Sequence, residues 1–165
     1  MEYFDILNKD GGRSGEVAIK GQKLLKGQYY LGAHAYIHNS NGDFLLQKRS
    51  ESKSFLPGAW DIHMGHVISG ETSKSAIIRE INEEVGIKVK DLTFIKRIVW
   101  EKYNHIIDIF AVSKDIKITE LTLQKSEVID AKYFSRDEMI NIIRNMHYRP
   151  KEYREVMEHY VMQLK

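Results

Sequence analysis

A group of glutamates at helical spacing is the feature that most constrains this chain. Glu80, Glu83 and Glu84 stand at positions i, i+3 and i+4, so a helix would place their carboxylates on one face within a single turn. Like charges this close repel one another unless a positive charge lies among them. A hard divalent cation such as Mg²⁺ prefers oxygen ligands and would offset the repulsion. The spacing therefore predicts a metal-binding acidic helix, although a solvated helix surface rich in glutamate has the same local pattern.

The residues around these glutamates favour metal binding over a solvated surface. Gly86 follows them and is typical of a helix C-terminus. Arg79 and Glu71 are eight residues apart, about two helical turns, so we expect the arginine to tie the start of the helix to the acidic face. Gly65 and Gly70 predict a turn that leads from a preceding strand into the helix. The whole segment is thus predicted to be one strand–turn–helix unit.

Residues 65–87 match the pattern G-x5-E-x7-R-E-U-x-E-E-x-G-U at every defined position, where U is an aliphatic residue. By this pattern the chain resembles the Nudix hydrolases. The resemblance implies an α/β fold, the α/β/α sandwich around a central mixed β-sheet. It also implies hydrolysis of a diphosphate (pyrophosphate) bond in a nucleoside diphosphate derivative or a related substrate, with Mg²⁺ or Mn²⁺ as cofactor. We therefore expect a single Nudix hydrolase domain over residues 1–165 that acts on acid anhydrides.

The resemblance also implies a set of site residues. The expected metal ligands are the box glutamates, one glutamate in a later loop and one glycine, namely Glu80, Glu83, Glu84, Glu127 and Gly65. Either Glu83 or Glu127 would take the proton of the attacking water, and the sequence does not decide between them. Arg79 completes the catalytic set, because with Glu71 it would orient the acidic cluster.

Three further residues are candidates for substrate binding. Lys48 and Arg49 come at the end of a predicted strand, where they would contact substrate phosphates; an exposed cluster of charges at a strand end is equally consistent with the pattern. His66 follows the first glycine of the box, so we expect it to contact metal or substrate.

Residues outside the box resemble the subgroup related to isopentenyl diphosphate isomerase, chiefly in the segments 5–8, 45–50 and 57–60. Those isomerases transfer protons with a cysteine and a glutamate, and the cysteine position falls on Met64 here, while one metal-histidine position falls on Tyr30. A thioether cannot transfer a proton, so the residues favour hydrolysis over isomerisation. The other alternative is a protein that senses a nucleotide derivative without cutting it, for which a degenerate box would be expected.

Composition excludes several other classes of function. The net charge of +2 gives no electrostatic case for nucleic-acid or membrane binding. The chain has no cysteine, which excludes disulfides, thiolate zinc sites and cysteine nucleophiles. No signal-like N-terminal segment and no apolar run of about 20 residues are visible. We expect a cytoplasmic protein with a small phosphorylated molecule as its partner, and the sequence leaves a homodimer open.

Hydrophobic periodicity predicts the remaining elements. Predicted strands cover residues 2–8, 29–38, 44–49, 60–68, 92–99, 106–112 and 128–134. Three helices are predicted: the box helix with Thr72 as its N-cap, a second after the capping box Ser135 to Glu138, and a last one opened by Pro150. Residues 9–15 are predicted to form a turn. Residues 16–27 are ambiguous between a short helix and a connecting arm, and residues 116–123 between an edge strand and a loop.

Overall fold

The computed structural model describes residues 1–164, which form nine strands and three α-helices. The strands are β1 (Tyr3–Leu7), β2 (Arg13–Ile19), β3 (Tyr30–His38), β4 (Phe44–Arg49), β5 (Trp60–Asp61), β6 (His63–His66), β7 (Thr93–Trp100), β8 (His105–Ser113) and β9 (Val128–Phe134). The helices are α1 (Ser73–Val85), α2 (Arg136–Asn145) and α3 (Lys151–Gln163). Two single-turn 3-10 helices, Glu101–Tyr103 and Ile118–Glu120, lie in connections. Among the helices described, none has the length and apolar character needed to cross a membrane.

Seven strands form one mixed sheet. Its main order is β5-β4-β3-β8-β7, with β6 beside β3 and β9 beside β4. The central pair β3 and β8 runs parallel over nine residues, from Tyr30 opposite His105 to His38 opposite Ser113, while the other pairs are antiparallel. Strands β1 and β2 form a separate antiparallel hairpin. The predicted central mixed sheet is confirmed.

Helices cover both faces of this sheet. On one face, α1 buries an apolar stripe at helical spacing, formed by Ala76, Ile77, Ile81 and Val85. On the other face, α2 and α3 bury a second stripe formed by Met139, Ile143, Tyr153, Met157 and Val161. The sheet therefore lies between two helical layers, which is the predicted α/β/α sandwich.

The box helix begins and ends at the predicted residues. The Thr72 hydroxyl accepts a hydrogen bond from the backbone N–H of Ser75, and the Ser75 hydroxyl accepts one from the N–H of Thr72, so the first turn is capped reciprocally. Gly86 ends the helix at φ 74°, a left-handed conformation that favours glycine. These caps fix the position of the glutamates along the helix.

Two local predictions need correction, and the structure decides the open alternative for residues 116–123. Gly65 lies within β6, opposite Ala33 of β3, so it is part of the sheet and the turn into α1 comes later, at Gly70. Strand β2 begins at Arg13, inside the predicted turn, and extends to Ile19, inside the segment 16–27 that is expected to be a short helix or a connecting arm. Its pairing with β1 supplies order that local sequence does not. Residues 116–123 form a loop with one 3-10 turn and no strand.

Candidate active site

A cavity of about 520 Å³ opens where the C-terminal half of α1 faces β6 and the loops around it. Eight of the nine residues singled out from the sequence line it, namely Arg49, Gly65, His66, Arg79, Glu80, Glu83, Glu84 and Glu127. The ninth, Lys48, is not among the lining residues. Its neighbour Gln47 faces α1, where its side-chain N–H donates to Glu84, and successive side chains of a strand point to opposite faces. Lys48 therefore points away from the acidic helix.

Arg79 holds the acidic side of the cavity together. Its Nε and Nη2 donate to the two carboxylate oxygens of Glu71 at 2.8 and 3.0 Å, the tie expected from their spacing. Nη1 donates to Glu80 at 2.8 Å and to Glu83 at 3.2 Å, and Nη2 also donates to the His66 carbonyl at 3.2 Å. One guanidinium thus connects the turn before α1, the end of β6 and two box glutamates.

Gly65 is required by the close approach of α1 to β6. A Cβ at this position would overlap the side chain of Glu80, at its Cγ, Cδ and Oε1 atoms. Glycine therefore lets the Glu80 carboxylate lie directly on the strand, next to the Gly65 backbone. This packing, and not a turn, explains the first glycine of the motif.

Glu84 is the most deeply buried of the four glutamates, with 6% of its surface exposed. The Gln47 amide donates to its Oε2 at 2.8 Å. Burial raises the pKa of Glu84 to about 7, and the charges of Glu80 and Glu127 add to the effect while the hydrogen bond from Gln47 opposes it. Burial also raises the pKa of Glu80, against the opposing effect of Arg79. Negative charge is therefore unfavourable here until a cation joins it.

Glu127 approaches the same cavity from the loop before β9, where it forms an ion pair with Lys53. Within residues 1–164, no three His, Asp or Glu side chains converge closely enough to form a ready-made metal site. Glu80 and Glu83 bond to Arg79, and Glu127 bonds to Lys53. The donor set nevertheless fits a hard divalent cation, because four carboxylates line one cavity and the most buried has a raised pKa.

Other residues that line the cavity are not among the predicted site residues. The N-terminal hairpin contributes Glu2, Phe4 and Lys20, and these lie far from the box in the chain. His34, Trp100, Tyr103, His105 and Arg149 also line the cavity. None of them stands at a spacing that indicates a site, since β3, the connection from β7 to β8 and the turn before α3 meet only in the folded chain. For Arg149, the only local signal of a site is its position directly before Pro150, at the turn into α3.

Comparison with known proteins agrees with the fold and the box. The family model for the NUDIX domain matches residues 28–160. An uncharacterized Nudix hydrolase of Listeria monocytogenes is 36% identical over 141 residues, which cover 84% of this chain and 83% of that protein. The isopentenyl-diphosphate delta-isomerase of Salmonella heidelberg is 32% identical over 93 residues, which cover only 56% of this chain and 51% of the isomerase. The isomerase-like subgroup therefore has weak support.

Solved structures share the architecture. A crystal structure of a Deinococcus radiodurans protein superposes with a TM-score of 0.74 and covers 99% of both chains at 18% identity, so it shows the fold alone. The MutT protein of Methanosarcina mazei superposes with a TM-score of 0.61 at 26% identity, covering 83% of this chain and 96% of its own. With the complete box, the matched family model and the sandwich fold in agreement, the chain belongs to the Nudix family.

Proposed function

We propose that this protein hydrolyses a diphosphate bond in a nucleoside diphosphate derivative or a related substrate, with Mg²⁺ or Mn²⁺ as cofactor. Family membership supports diphosphate hydrolysis in general terms. One observation carries the proposal: four glutamates from two chain segments line a single cavity, and burial raises the pKa of one of them to about 7. A buried carboxylate whose ionisation is unfavourable without a nearby positive charge is stabilised in its ionised form by a divalent cation.

The cation would be held by the carboxylates of Glu80, Glu83, Glu84 and Glu127, with the Gly65 carbonyl as a further ligand. When bound, a divalent cation neutralises phosphate charge and lowers the pKa of a coordinated water. In the structure, Arg79 and Lys53 already offset part of the negative charge of these glutamates. Loading the site would therefore require Lys53 to release Glu127.

The protein's own part in catalysis is to accept a proton and to orient groups. Glu83 and Glu127 are the candidate bases: their side chains are 51% and 33% exposed, so a water molecule can reach either carboxylate. Arg79 positions Glu80 and Glu83 through hydrogen bonds and leaves the proton transfer to a carboxylate. The reaction would form a new oxygen–phosphorus bond from water and break the bridging bond of the diphosphate.

Substrate phosphates would meet cations on the cavity wall. Arg49 lines this wall, with its Nε donating to the Phe55 carbonyl at 2.9 Å, so the guanidinium is held in place. Lys53, the partner of Glu127, lines the cavity as a second cation. His66 of β6 also lines it, but burial lowers the pKa of His66 to about 4, so its ring is neutral and contributes no charge. Lys48 is left out of the phosphate-binding set because its side chain points to the other face of the sheet.

The isomerase alternative lacks a proton donor at the required position. Met64 lies in the cavity wall there, and its sulfur accepts a hydrogen bond from Arg149 Nη2 at 3.6 Å. A thioether neither gives nor takes a proton at neutral pH, so the groups present support hydrolysis. A cytoplasmic location, the absence of nucleic-acid partners and a homodimer stay predictions.

The test is a panel of nucleoside triphosphates, nucleotide sugars, dinucleotides and isopentenyl diphosphate, each incubated with Mg²⁺ or Mn²⁺ and assayed for phosphate-containing products. The variants Glu80→Gln and Glu84→Gln should each lower turnover by about 10²-fold or more, the size of effect that removal of a catalytic group usually has. Glu120→Gln is the matched control, since Glu120 is exposed and lies outside the cavity. Near wild-type turnover in both cavity variants would refute the assignment, and substrate binding without product would identify a sensor.

A further inference from the structure

The buried end of the cavity carries polar groups that the proposed chemistry does not use. His34 on β3 and Arg149 in the turn before α3 both line the cavity, yet they are only 6% and 3% exposed. Both contact Tyr153 of α3: His34 Nδ1 lies 2.9 Å from the Tyr153 hydroxyl, and Arg149 Cζ lies 5.0 Å from the centre of the ring. We call His34 and Arg149 the donor subsite.

Arg149 is already neutralised and still has a hydrogen-bond donor to spare. Its Nη2 donates to both carboxylate oxygens of Asp61, at 3.2 and 3.3 Å, and Asp61 is fully buried. Its Nε is buried without a hydrogen-bond partner in the described part of the chain. Because Asp61 already neutralises the charge of the guanidinium, Arg149 does not need a second anion. The Nε–H group still lacks a hydrogen-bond acceptor. These conditions suit a neutral acceptor better than a further phosphate.

His34 adds a second donor through its tautomer. The Tyr36 hydroxyl donates to the Tyr153 hydroxyl at 3.1 Å, which leaves the Tyr153 hydrogen for His34 Nδ1. Burial, and then the positive charge of Arg149, lower the pKa of His34 well below its ordinary value, so the ring is neutral. A neutral imidazole that accepts at Nδ1 carries its hydrogen on Nε2. The donor subsite therefore offers only N–H groups.

Flat side chains line the same cavity. The rings of Trp100 and Tyr103 lie 4.6 Å apart at an angle of 70° and both contribute to the wall. Such rings suit a planar heterocycle, on which they stack or pack edge-on. An alkyl chain would leave the buried N–H donors without acceptors, and the cost of these unpaired groups would weaken its binding strongly.

We propose that Arg149 and His34 determine specificity by donating hydrogen bonds to a ring nitrogen or carbonyl oxygen of a nucleobase at the non-reacting end of the substrate. The inference rests on the proposed function, because the donor subsite belongs to the same cavity as the glutamates. It selects a base-bearing diphosphate over an isoprenoid diphosphate.

Binding of product-like ligands tests the inference without requiring turnover. Titration calorimetry in Mg²⁺ buffer would compare AMP, GMP, CMP and UMP with ribose 5-phosphate, which has the sugar and phosphate but no base. The variants are Arg149→Lys, which keeps a positive charge for Asp61 but loses the forked donors, and His34→Phe, which keeps a ring but loses the donor. Arg144→Lys is the matched control, because the Arg144 pair with Glu158 lies outside the cavity and Arg144 is 60% exposed.

We expect at least one nucleotide to bind wild-type protein about ten-fold or more tightly than ribose 5-phosphate does. Each subsite variant should bind that nucleotide about ten-fold more weakly than wild type does, and should bind ribose 5-phosphate less than about two-fold more weakly. The inference would be overturned if the wild-type protein bound every nucleotide no more tightly than ribose 5-phosphate. It would also be overturned if the variants lowered the affinity for the nucleotide and for ribose 5-phosphate equally, or lowered neither affinity. If Arg149→Lys fails to fold, His34→Phe and the wild-type comparison still decide. Hydrolysis by the same wild-type preparation reports separately on the proposed function.

Discussion

Replacing Glu84 with glutamine should stabilise the metal-free protein, and by an amount that depends on pH. Burial raises the pKa of Glu84 from 4.5 to about 7 in the folded state. Between these values the folded state holds a proton that the unfolded state has released, so the free energy of unfolding falls as pH rises through this window. Below pH 4.5 Glu84 is protonated in both the folded and the unfolded state, so it does not lower the free energy of unfolding. Above pH 7 both are ionised and the full cost is present.

The size of the effect follows from the two pKa values. One pKa unit corresponds to about 1.4 kcal/mol, so a rise to about 7 costs roughly 3 kcal/mol at pH 8 and roughly 1 kcal/mol at pH 5. Glu84→Gln removes this cost, and the new amide oxygen can still accept the hydrogen bond that Gln47 donates. The free energy of unfolding of the variant should therefore exceed that of the wild type by about 3 kcal/mol at pH 8 and by about 1 kcal/mol at pH 5.

Urea unfolding in EDTA at both pH values measures the difference, with Glu120→Gln as the control at an exposed position. Saturating Mg²⁺ should reverse the ranking at pH 8, because the cation stabilises the ionised carboxylate of the wild type and the amide binds it poorly. An equal shift at pH 5 and pH 8, or a less stable variant at pH 8 in EDTA, would refute the reasoning.

Three further substitutions test the packing around the site. Gly65→Ala should lower hydrolysis about ten-fold or more, since its Cβ would displace the Glu80 side chain; steady-state turnover measures this, and unchanged turnover would contradict it. Arg79→Lys should lower kcat about ten-fold or more, because an ammonium cannot reproduce the guanidinium's hydrogen bonds to the turn, β6 and α1; wild-type kcat would show that the network is dispensable. Gly86→Ala should destabilise the fold by about 1 to 2 kcal/mol, because φ is 74° and a Cβ would approach Thr122 to 3.0 Å; an unchanged urea midpoint would argue against this.

Features that depend on local sequence were predictable. The box helix, from its cap at Thr72 to its stop at Gly86, is specified by short-range hydrogen bonds and a left-handed glycine, so its bounds follow from the chain. Strands Phe44–Arg49 and Val128–Phe134 have the predicted bounds because their apolar runs are bordered by turn residues.

Features that depend on contacts between distant segments were not predictable. Strand β2 exists because β1 pairs with it, although most of its side chains are exposed. The orientation of Lys48 follows from the side of the sheet on which α1 packs. Arg149 reaches the cavity only because α3 brings the preceding turn against Asp61, which is 88 residues away in the chain. Sequence spacing identifies the acidic helix, whereas tertiary contacts assemble the opposite wall.

Isotope labelling tests the central claim, that water attacks phosphorus in the diphosphate, most directly. Hydrolysis of the best substrate from the panel in H₂¹⁸O, followed by mass spectrometry of the products, shows where the new oxygen goes. The mechanism predicts one ¹⁸O per cleavage event, located in a phosphate-bearing product and dependent on Mg²⁺ or Mn²⁺. Products without ¹⁸O in phosphate, or ¹⁸O in the alcohol of the leaving group, would contradict attack at phosphorus.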